Sequence, residues 1–578
     1  MARVEVPCAV AIRTARSVIE EVPEAGSSSI RAISQCNTRN PERSVHNMTK
    51  KFNLRIPIPL TDVELGGEKY PILRVQDWAR FLLSMNLWHS LCGLDQPNDE
   101  RCCSIWGCFW ERYRAIHPRH PVFRGGINLS RTCALLLHGD EGRSLKKAPI
   151  LCVSTHSILG YGIRTSKTGM KKDRLAMNLN YEQPTWTTRF LLSVLPHRVY
   201  ADDDDGETLD TFQELMGALG DDLRVLSDEG ILGHNNQRYY FVVLSVMGDW
   251  PWLVKCGCLE RSFYNAAKRA HSGAAARGIC HQCMADTEGY PWEDWFSNHP
   301  RWMDTMNSQT PFYRRPEILR VFHDETAEPY FFSYDLFHGW HIGAGKSFLA
   351  SAVVTLAMSG LYSGSRETRI QELSDSYAAW CKANRKCPTL KKFTLANLGL
   401  TGNTFPTGTW SKGATTTCIM KWFVDECQKR YNEFGDDELL ITTYRAALEM
   451  NSFLSGVYSY ELWIPSREAL QLAAHGFQFL REFGKAAKLA FDSSRLLFIQ
   501  VPNYHRLHHL FLLLRQQASI ANYAMSPLAM STQSDEDFIG RPSRISRRVN
   551  PRTTVRRVLE RSLEAAHAKY VRAGRIVP

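Results

Sequence analysis

Ala134-Leu135-Leu136-Leu137-His138-Gly139-Asp140 is a short apolar run that stops at a glycine and a carboxylate. Tyr240-Phe241-Val242-Val243-Leu244-Ser245-Val246-Met247-Gly248-Asp249 repeats the design further along the chain. Apolar runs of this length bounded by glycine read as buried strands, and a strand ending in Gly-Asp holds its carboxylate at a sheet edge. A third acidic group, Glu536, stands in Ser534-Asp535-Glu536-Asp537-Phe538, at the head of an Arg-rich helical pattern. Carboxylate oxygens suit hard divalent cations. Three brought together would hold two Mg²⁺ ions about 3.5–4 Å apart, the arrangement that cleaves and joins phosphodiesters. The competing account of each Asp is a simple turn residue.

The surroundings supply the rest of an α/β layer. Strands are expected at Leu135–Leu137, Ala148–Thr155 and Phe190–Leu195, then a helix over Thr208–Leu219 and the strand that ends at Asp249. The acidic run Asp202–Asp205 reads as a solvated loop. Residues 256–345 mix Cys, His, Trp and Pro, and helical periodicity then dominates from Phe348 to Phe498. A mainly helical, zinc-containing insertion thus interrupts the α/β unit before its final helix. The expected boundaries are 1–52, a disordered tail; 53–130, a helical N-terminal unit carrying Trp78, Trp88, Trp106 and Trp110; and 131–255, the first part of the core. The zinc-binding part of the insertion follows at 256–345 and its helical part at 346–525. Residues 526–578 hold the final core helix, the third carboxylate and a basic segment.

The 578 residues carry a formal net charge of +11, unevenly placed. Between Arg541 and Val577 eleven Lys/Arg face only Glu560 and Glu564, a density that points to a polyanion, nucleic acid first. Arg547, Arg548, Arg556 and Arg557 are the candidate phosphate contacts, against the plainer reading of a solvated basic face. The longest apolar stretch, Phe348–Met358, is too short to span a bilayer. Sixteen cysteines are too sparse for a disulfide scaffold, which suggests reduced thiols in a cytosolic or nuclear setting.

Cys280-His281-Gln282-Cys283 and His338-Gly339-Trp340-His341 form a second constellation. Two Cys two residues apart make half of a tetrahedral Zn²⁺ site, and two His three apart on a helix share a face and can complete it. A redox pair is the alternative for the cysteines. Cys256 and Cys258, closer to Asp249, compete for the same metal-binding role, against the favoured reading of buried or incidental thiols. Gly343-Ala344-Gly345-Lys346-Ser347 imitates a phosphate-binding loop, but the first glycine that the pattern needs is replaced by Trp340, and Lys346 reads as a helix-start residue. Trp410 in Thr409-Trp410-Ser411-Lys412-Gly413 is a core residue or, alternatively, a stacking platform for an unpaired base.

Three segments carry a family resemblance. Gly139-Asp140-Glu141-Gly142-Arg143 resembles the first-carboxylate segment of DDE transposases of the CACTA/EnSpm, Mirage and Chapaev group, especially its Plavaka-like branch. Gly248-Asp249-Trp250-Pro251 is similar to that group's second-carboxylate segment, and Asp335-Leu336-Phe337-His338-Gly339-Trp340-His341-Ile342-Gly343 to its Asp-x-x-His-x-x-His-x-Gly block. The resemblance runs from about Trp106 to Arg561. It implies an RNase H-like catalytic fold with Asp140, Asp249 and Glu536 around Mg²⁺ or Mn²⁺. It also implies cut-and-paste chemistry on transposon ends and target DNA, in the nucleus, with a homo-oligomer compatible. Glu536 is preferred over the adjacent Asp535 because the family uses Glu. Two other classes stand beside this one: a derivative that binds DNA without cutting it, and a nucleotide-binding protein built on Gly343–Ser347.

Overall fold

The computed structural model describes residues 6–24, 28–164, 177–200, 208–266, 277–400 and 402–577. The acidic run at 202–205 lies outside them.

The chain opens with helices α1 (Cys8–Glu21), α2 (Ser28–Ser34) and α3 (Pro41–Lys51) where a disordered tail is expected. They enclose a small cluster of Cys8, Ile12, Cys36, Val45 and Met48. So few apolar residues cannot hold a fold alone. The segment gains order by docking on the last helix of the chain, where Arg561 bonds Glu42 at 2.6 Å and His46 lies 2.8 Å from Glu564. Composition read within one segment misses a partner that lies five hundred residues away.

The expected all-helical unit at 53–130 begins instead with a hairpin, β1 (Thr61–Leu65) and β2 (Glu68–Ile72). Its two-residue loop is Gly66-Gly67, with φ of 57° and 75°. Positive φ at both loop positions matches the twist of a hairpin, and glycine alone adopts it freely. Helices α4 (Val75–Ser84) and α5 (Asp99–Ile116) follow as expected, and bury Trp78, Trp106 and Trp110.

The main sheet comprises β3 (Thr132–Arg143), β4 (Pro149–Ser157), β5 (Phe190–Pro196), β6 (Ile231–Leu232) and β7 (Arg238–Met247), in the order β5-β4-β3-β7-β6. β3 pairs antiparallel with β4 and parallel with β7. The parallel pair explains the near-continuous apolar runs, since helices cover both faces. Helix α6 (Thr208–Asp228) lies against β7, and α7 (Trp250–Cys256) starts where β7 ends.

A helical assembly follows: α8 (Gly345–Met358), α9 (Arg366–Ala383), α10 (Gly413–Lys429), α11 (Glu438–Val457), α12 (Ser466–Asp492) and α13 (Asn503–Ile520). Short strands β8 (Trp463–Pro465) and β9 (Tyr523–Met525) pair beside it. The chain then returns to the sheet through α14 (Gln533–Ser546), packed on β3, and α15 (Thr554–Arg572), packed on β5. One hydrophobic cluster runs through sheet and helices together.

A π-turn over Phe337–Ala344 leads directly into α8. Those 22 residues are long and apolar enough to cross a bilayer, but 78% of their most apolar window is buried inside the protein, so this is a core helix. Gly343 kinks the chain between the π-turn and α8, with φ −105° and ψ −119°, and Gly345–Ser347 forms the first turn of α8. Trp410 is buried and donates from Nε1 to Thr416 Oγ1 at 2.8 Å, which settles it as a core residue.

Two candidate metal centres

The carboxylate centre grows out of the β3–β7 register. His138 lies opposite Met247, so the two Gly-Asp pairs lie side by side, but only Gly248-Asp249 leaves its strand: β3 runs on to Arg143, and Asp140 stays paired with Cys152 of β4 instead of closing the strand as expected. Asp249 caps α7 by accepting the Trp252 backbone N–H at 2.8 Å. That cap turns the Trp252 indole across both strand ends. A Cβ on Gly139 would lie 2.3 Å from this ring, and one on Gly248 only 2.2 Å. The glycine before each Asp is thus demanded by one shared tryptophan. Gly142 does the same for α14: a Cβ there would meet Ser543 at 2.6 Å. Close approach of α14 to β3 brings in Glu536, which lies about two turns up the helix from Ser543.

Asp140 and Glu536 respond to the crowding. Burial and then the Asp249 charge push the Asp140 carboxyl up to about 6. Burial, the charge and hydrogen bond of Asp140, and then Asp249 push Glu536 well above the ordinary range. Crowded like charges of this kind call for a cation. Asp535, the runner-up from the sequence, points the other way. It is fully buried between Arg189 Nε at 3.1 Å and His156 Nδ1 at 3.2 Å, a structural ion pair. His138 lies beneath the cluster with both ring nitrogens unpartnered, its Nε2 4.0 Å from Glu536 Oε1.

The zinc expectation needs a correction. Cys280 and Cys283 come together with His505 and His509 of α13, not with His338 and His341. All four are buried, and their ligand atoms lie within 4.8 Å of one another. His509 Nε2 stands 3.4 Å from Cys280 Sγ and 3.4 Å from Cys283 Sγ, and His505 Nε2 is 3.3 Å from Cys283 Sγ. The two imidazole nitrogens approach to 3.1 Å. Zn–S bonds of about 2.3 Å and Zn–N bonds of about 2.0–2.1 Å give tetrahedral edges near ~3.5 Å for S···N and ~3.3 Å for N···N. The donors match that tetrahedron in type and spacing, so this Cys2His2 group can hold zinc.

Its surroundings fix it in place. The Trp302 ring packs on His505, His508 and His509 with centroids 4.7, 4.9 and 4.7 Å away. The Tyr334 hydroxyl and the Gln282 backbone N–H reach Cys280 Sγ at 2.9 and 3.3 Å, as donors to a thiolate. Burial pushes the Cys280 thiol up, yet the Cys283 hydrogen bond and the His509 and His505 rings outweigh it and hold Cys280 well below the usual thiol range. His281, inside the Cys-x-x-Cys, takes no part: its Nε2 is bonded to the Phe332 carbonyl at 2.8 Å. Cys256 and Cys258 are buried apart from this group. The missed signal was present in the sequence as His505-Arg506-Leu507-His508-His509, where an i,i+4 pair shares one helix face.

The displaced histidines have other places. His341 is buried, with Tyr458 Oη at 3.0 Å and Thr417 Oγ1 at 3.3 Å. His338 stands at the carboxylate centre, its Nε2 3.5 Å from Glu536 Oε1. Of the basic candidates, Arg547 and Arg548 are exposed, and Arg547 donates to the Arg143 carbonyl at 2.8 Å. Arg556 and Arg557 are engaged with Asp62 at 3.2 Å and Glu560 at 2.5 Å. Scanned against protein-family models the chain matches none, and no curated protein matches it.

Proposed function

We propose that this chain is a DDE-type DNA transposase, or a derivative of one, with an RNase H-like core interrupted by a zinc-stabilised helical insertion. One observation carries the reading. Asp140 stands in β3 three residues before its end, beside the end of the parallel strand β7 from which Asp249 follows, and a helix packed on the same sheet brings Glu536 to them. The antiparallel β3-β4-β5 followed by parallel β7 is the strand arrangement expected of such a core. Asp140, Asp249 and Glu536 would hold Mg²⁺ or Mn²⁺, which when bound activates a water or 3′-hydroxyl and stabilises the departing oxygen. The protein's own part is to fix the carboxylates and to gather DNA through the exposed arginines of its C-terminal segment.

Nicking of supercoiled plasmid with Mg²⁺ or Mn²⁺ tests this. Wild type should nick, whereas Asp140→Ala and Asp249→Ala should lose about 1,000-fold or more while still binding DNA, since metal-held charge stabilisation is worth several kcal/mol. Full activity in either variant removes the carboxylates from the chemistry. A wild-type protein that binds DNA but never nicks it identifies the non-cutting derivative.

A further inference from the structure

His338 is built into the carboxylate centre by a device that its position does not otherwise need. Asp335 is fully buried and ends the segment before the π-turn. Its Oδ1 accepts the Phe337 and Thr532 backbone N–H groups at 2.6 and 3.3 Å. Its Oδ2 accepts the His338 backbone N–H at 3.2 Å and the Thr532 hydroxyl at 2.6 Å. A carboxylate surrounded by donors on both oxygens has no proton to give, so the contact between His338 Nδ1 and Asp335 Oδ2 at 2.5 Å is a donation from the imidazole. In the neutral ring the lone pair then sits on Nε2, the atom 3.5 Å from Glu536 Oε1.

Histidines that ligate metals characteristically donate their second ring N–H to a carboxylate, which fixes the tautomer and raises the basicity of the ligating nitrogen. Asp335–His338 has that form, and its Nε2 faces Glu536. The π-turn explains how this is possible in a core helix. Its wider winding re-aims side chains locally, a feature found often at functional sites. His138, the other nearby ring, has no hydrogen-bond partner on either nitrogen among the described residues, Glu536 Oε1 standing 4.0 Å from its Nε2.

We infer that His338 is a nitrogen ligand of a divalent cation at the Asp140–Asp249–Glu536 centre, oriented by Asp335, and that the site therefore favours Mn²⁺ over Mg²⁺. This rests on the proposed metal-binding role of the three carboxylates. Imidazole suits borderline transition-metal ions, while all-oxygen shells suit Mg²⁺, and manganese accepts both donor types.

The test uses the zinc-loaded full-length protein titrated with Mn²⁺. Electron spin-echo envelope modulation should show directly bound ¹⁴N, replaced by the ¹⁵N pattern when histidine is ¹⁵N-labelled. His338→Gln should still bind Mn²⁺ through the carboxylates but lose the nitrogen signal. Asp335→Asn should bind it about 10–100-fold more weakly, the usual cost of losing such an orienting partner. Mn²⁺ bound without nitrogen coupling in wild type overturns the inference and leaves the carboxylate reading standing. A nitrogen signal that persists in His338→Gln overturns it in favour of His138. Failure of wild type to bind Mn²⁺, with zinc still in place, overturns the proposed function and this inference with it. The wild-type spectrum decides the matter even if the Asp335 variant does not fold.

Discussion

The Cys280–Cys283–His505–His509 group and the Asp140–Asp249–Glu536 group differ most in charge. Two thiolates and two neutral imidazoles balance one Zn²⁺ completely, and all four ligands are buried. Three carboxylates balance nothing by themselves, and they stay half-buried at the mouth of a sheet. The first arrangement closes a shell and leaves no position for a substrate, which is the mark of a structural site. The second accumulates negative charge that an incoming cation would relieve. A protein can thus use one ion to build and another to react, and ligand charge separates the two uses before any activity is measured.

The comparison breaks most sharply on zinc removal. Cys283→Ser or His505→Ala should cost about 10 kcal/mol of metal-linked folding energy, because binding energy at such a site becomes folding energy. The expected result is protease sensitivity within residues 277–345 and loss of one zinc per chain by elemental analysis. His341→Ala should leave the zinc content unchanged. Zinc retained by His505→Ala would return the assignment to other histidines.

The carboxylate centre should depend on the glycine before each Asp. Gly139→Ala would drive a methyl into the Trp252 ring, so stability should fall by about 1–3 kcal/mol. Metal-dependent nicking should fall further than stability, since the strand ends separate. Denaturant melts and nicking assays on the same preparation check this. An unperturbed variant would mean that Trp252 does not set the spacing.

The pH response should also separate the two. Asp140 is held up to about 6 in the folded protein, against about 4 for an unperturbed Asp. A raised carboxyl binds its proton more tightly when folded. Its contribution is therefore complete below about pH 4 and lost as pH rises through about 6. The unfolding free energy of the metal-free protein should decline across that window, by up to about 1.4 kcal/mol for each pH unit crossed, and Mn²⁺ should restore it at pH 7. Denaturant melts at a series of pH values follow the decline, and Asp140→Asn should flatten it. A metal-free protein that gains stability across the window would contradict the crowding.

The smallest effect concerns the basic segment. Arg556 and Arg557 already hold acidic partners, whereas Arg547 and Arg548 face solvent. Neutralising Arg547 and Arg548 should lower the log–log salt slope of DNA binding by about one unit each, and neutralising the other two should change it less. Fluorescence anisotropy at several salt concentrations measures it. Equal effects from both pairs would show that the intramolecular ion pairs open on DNA.

Much of the layer was legible because its signals are local. Apolar runs ending in Gly-Asp marked β3 and β7, and the runs at Ala148–Thr155 and Phe190–Leu195 fall within or beside β4 and β5. The Cys-x-x-Cys half of the zinc centre was equally plain, since two-residue spacing is itself the geometry. The ordered N-terminal helices were not legible, because their burial is lent by α15.

Sequence by itself therefore determined the main strands of the central sheet and which residue types could meet a cation. Tertiary packing alone placed Glu536, and not Asp535, beside Asp140, because neighbours on a helix point about 100° apart and only the seating of α14 on β3 sets which one faces that carboxylate. It decided equally between two histidine pairs. Spacing shows that His338 and His341, or His505 and His509, share a face, but which face meets Cys280 and Cys283 depends on where α13 lies in space. Periodicity is a property of one segment, whereas coordination is a property of several, and only the folded chain brings those together.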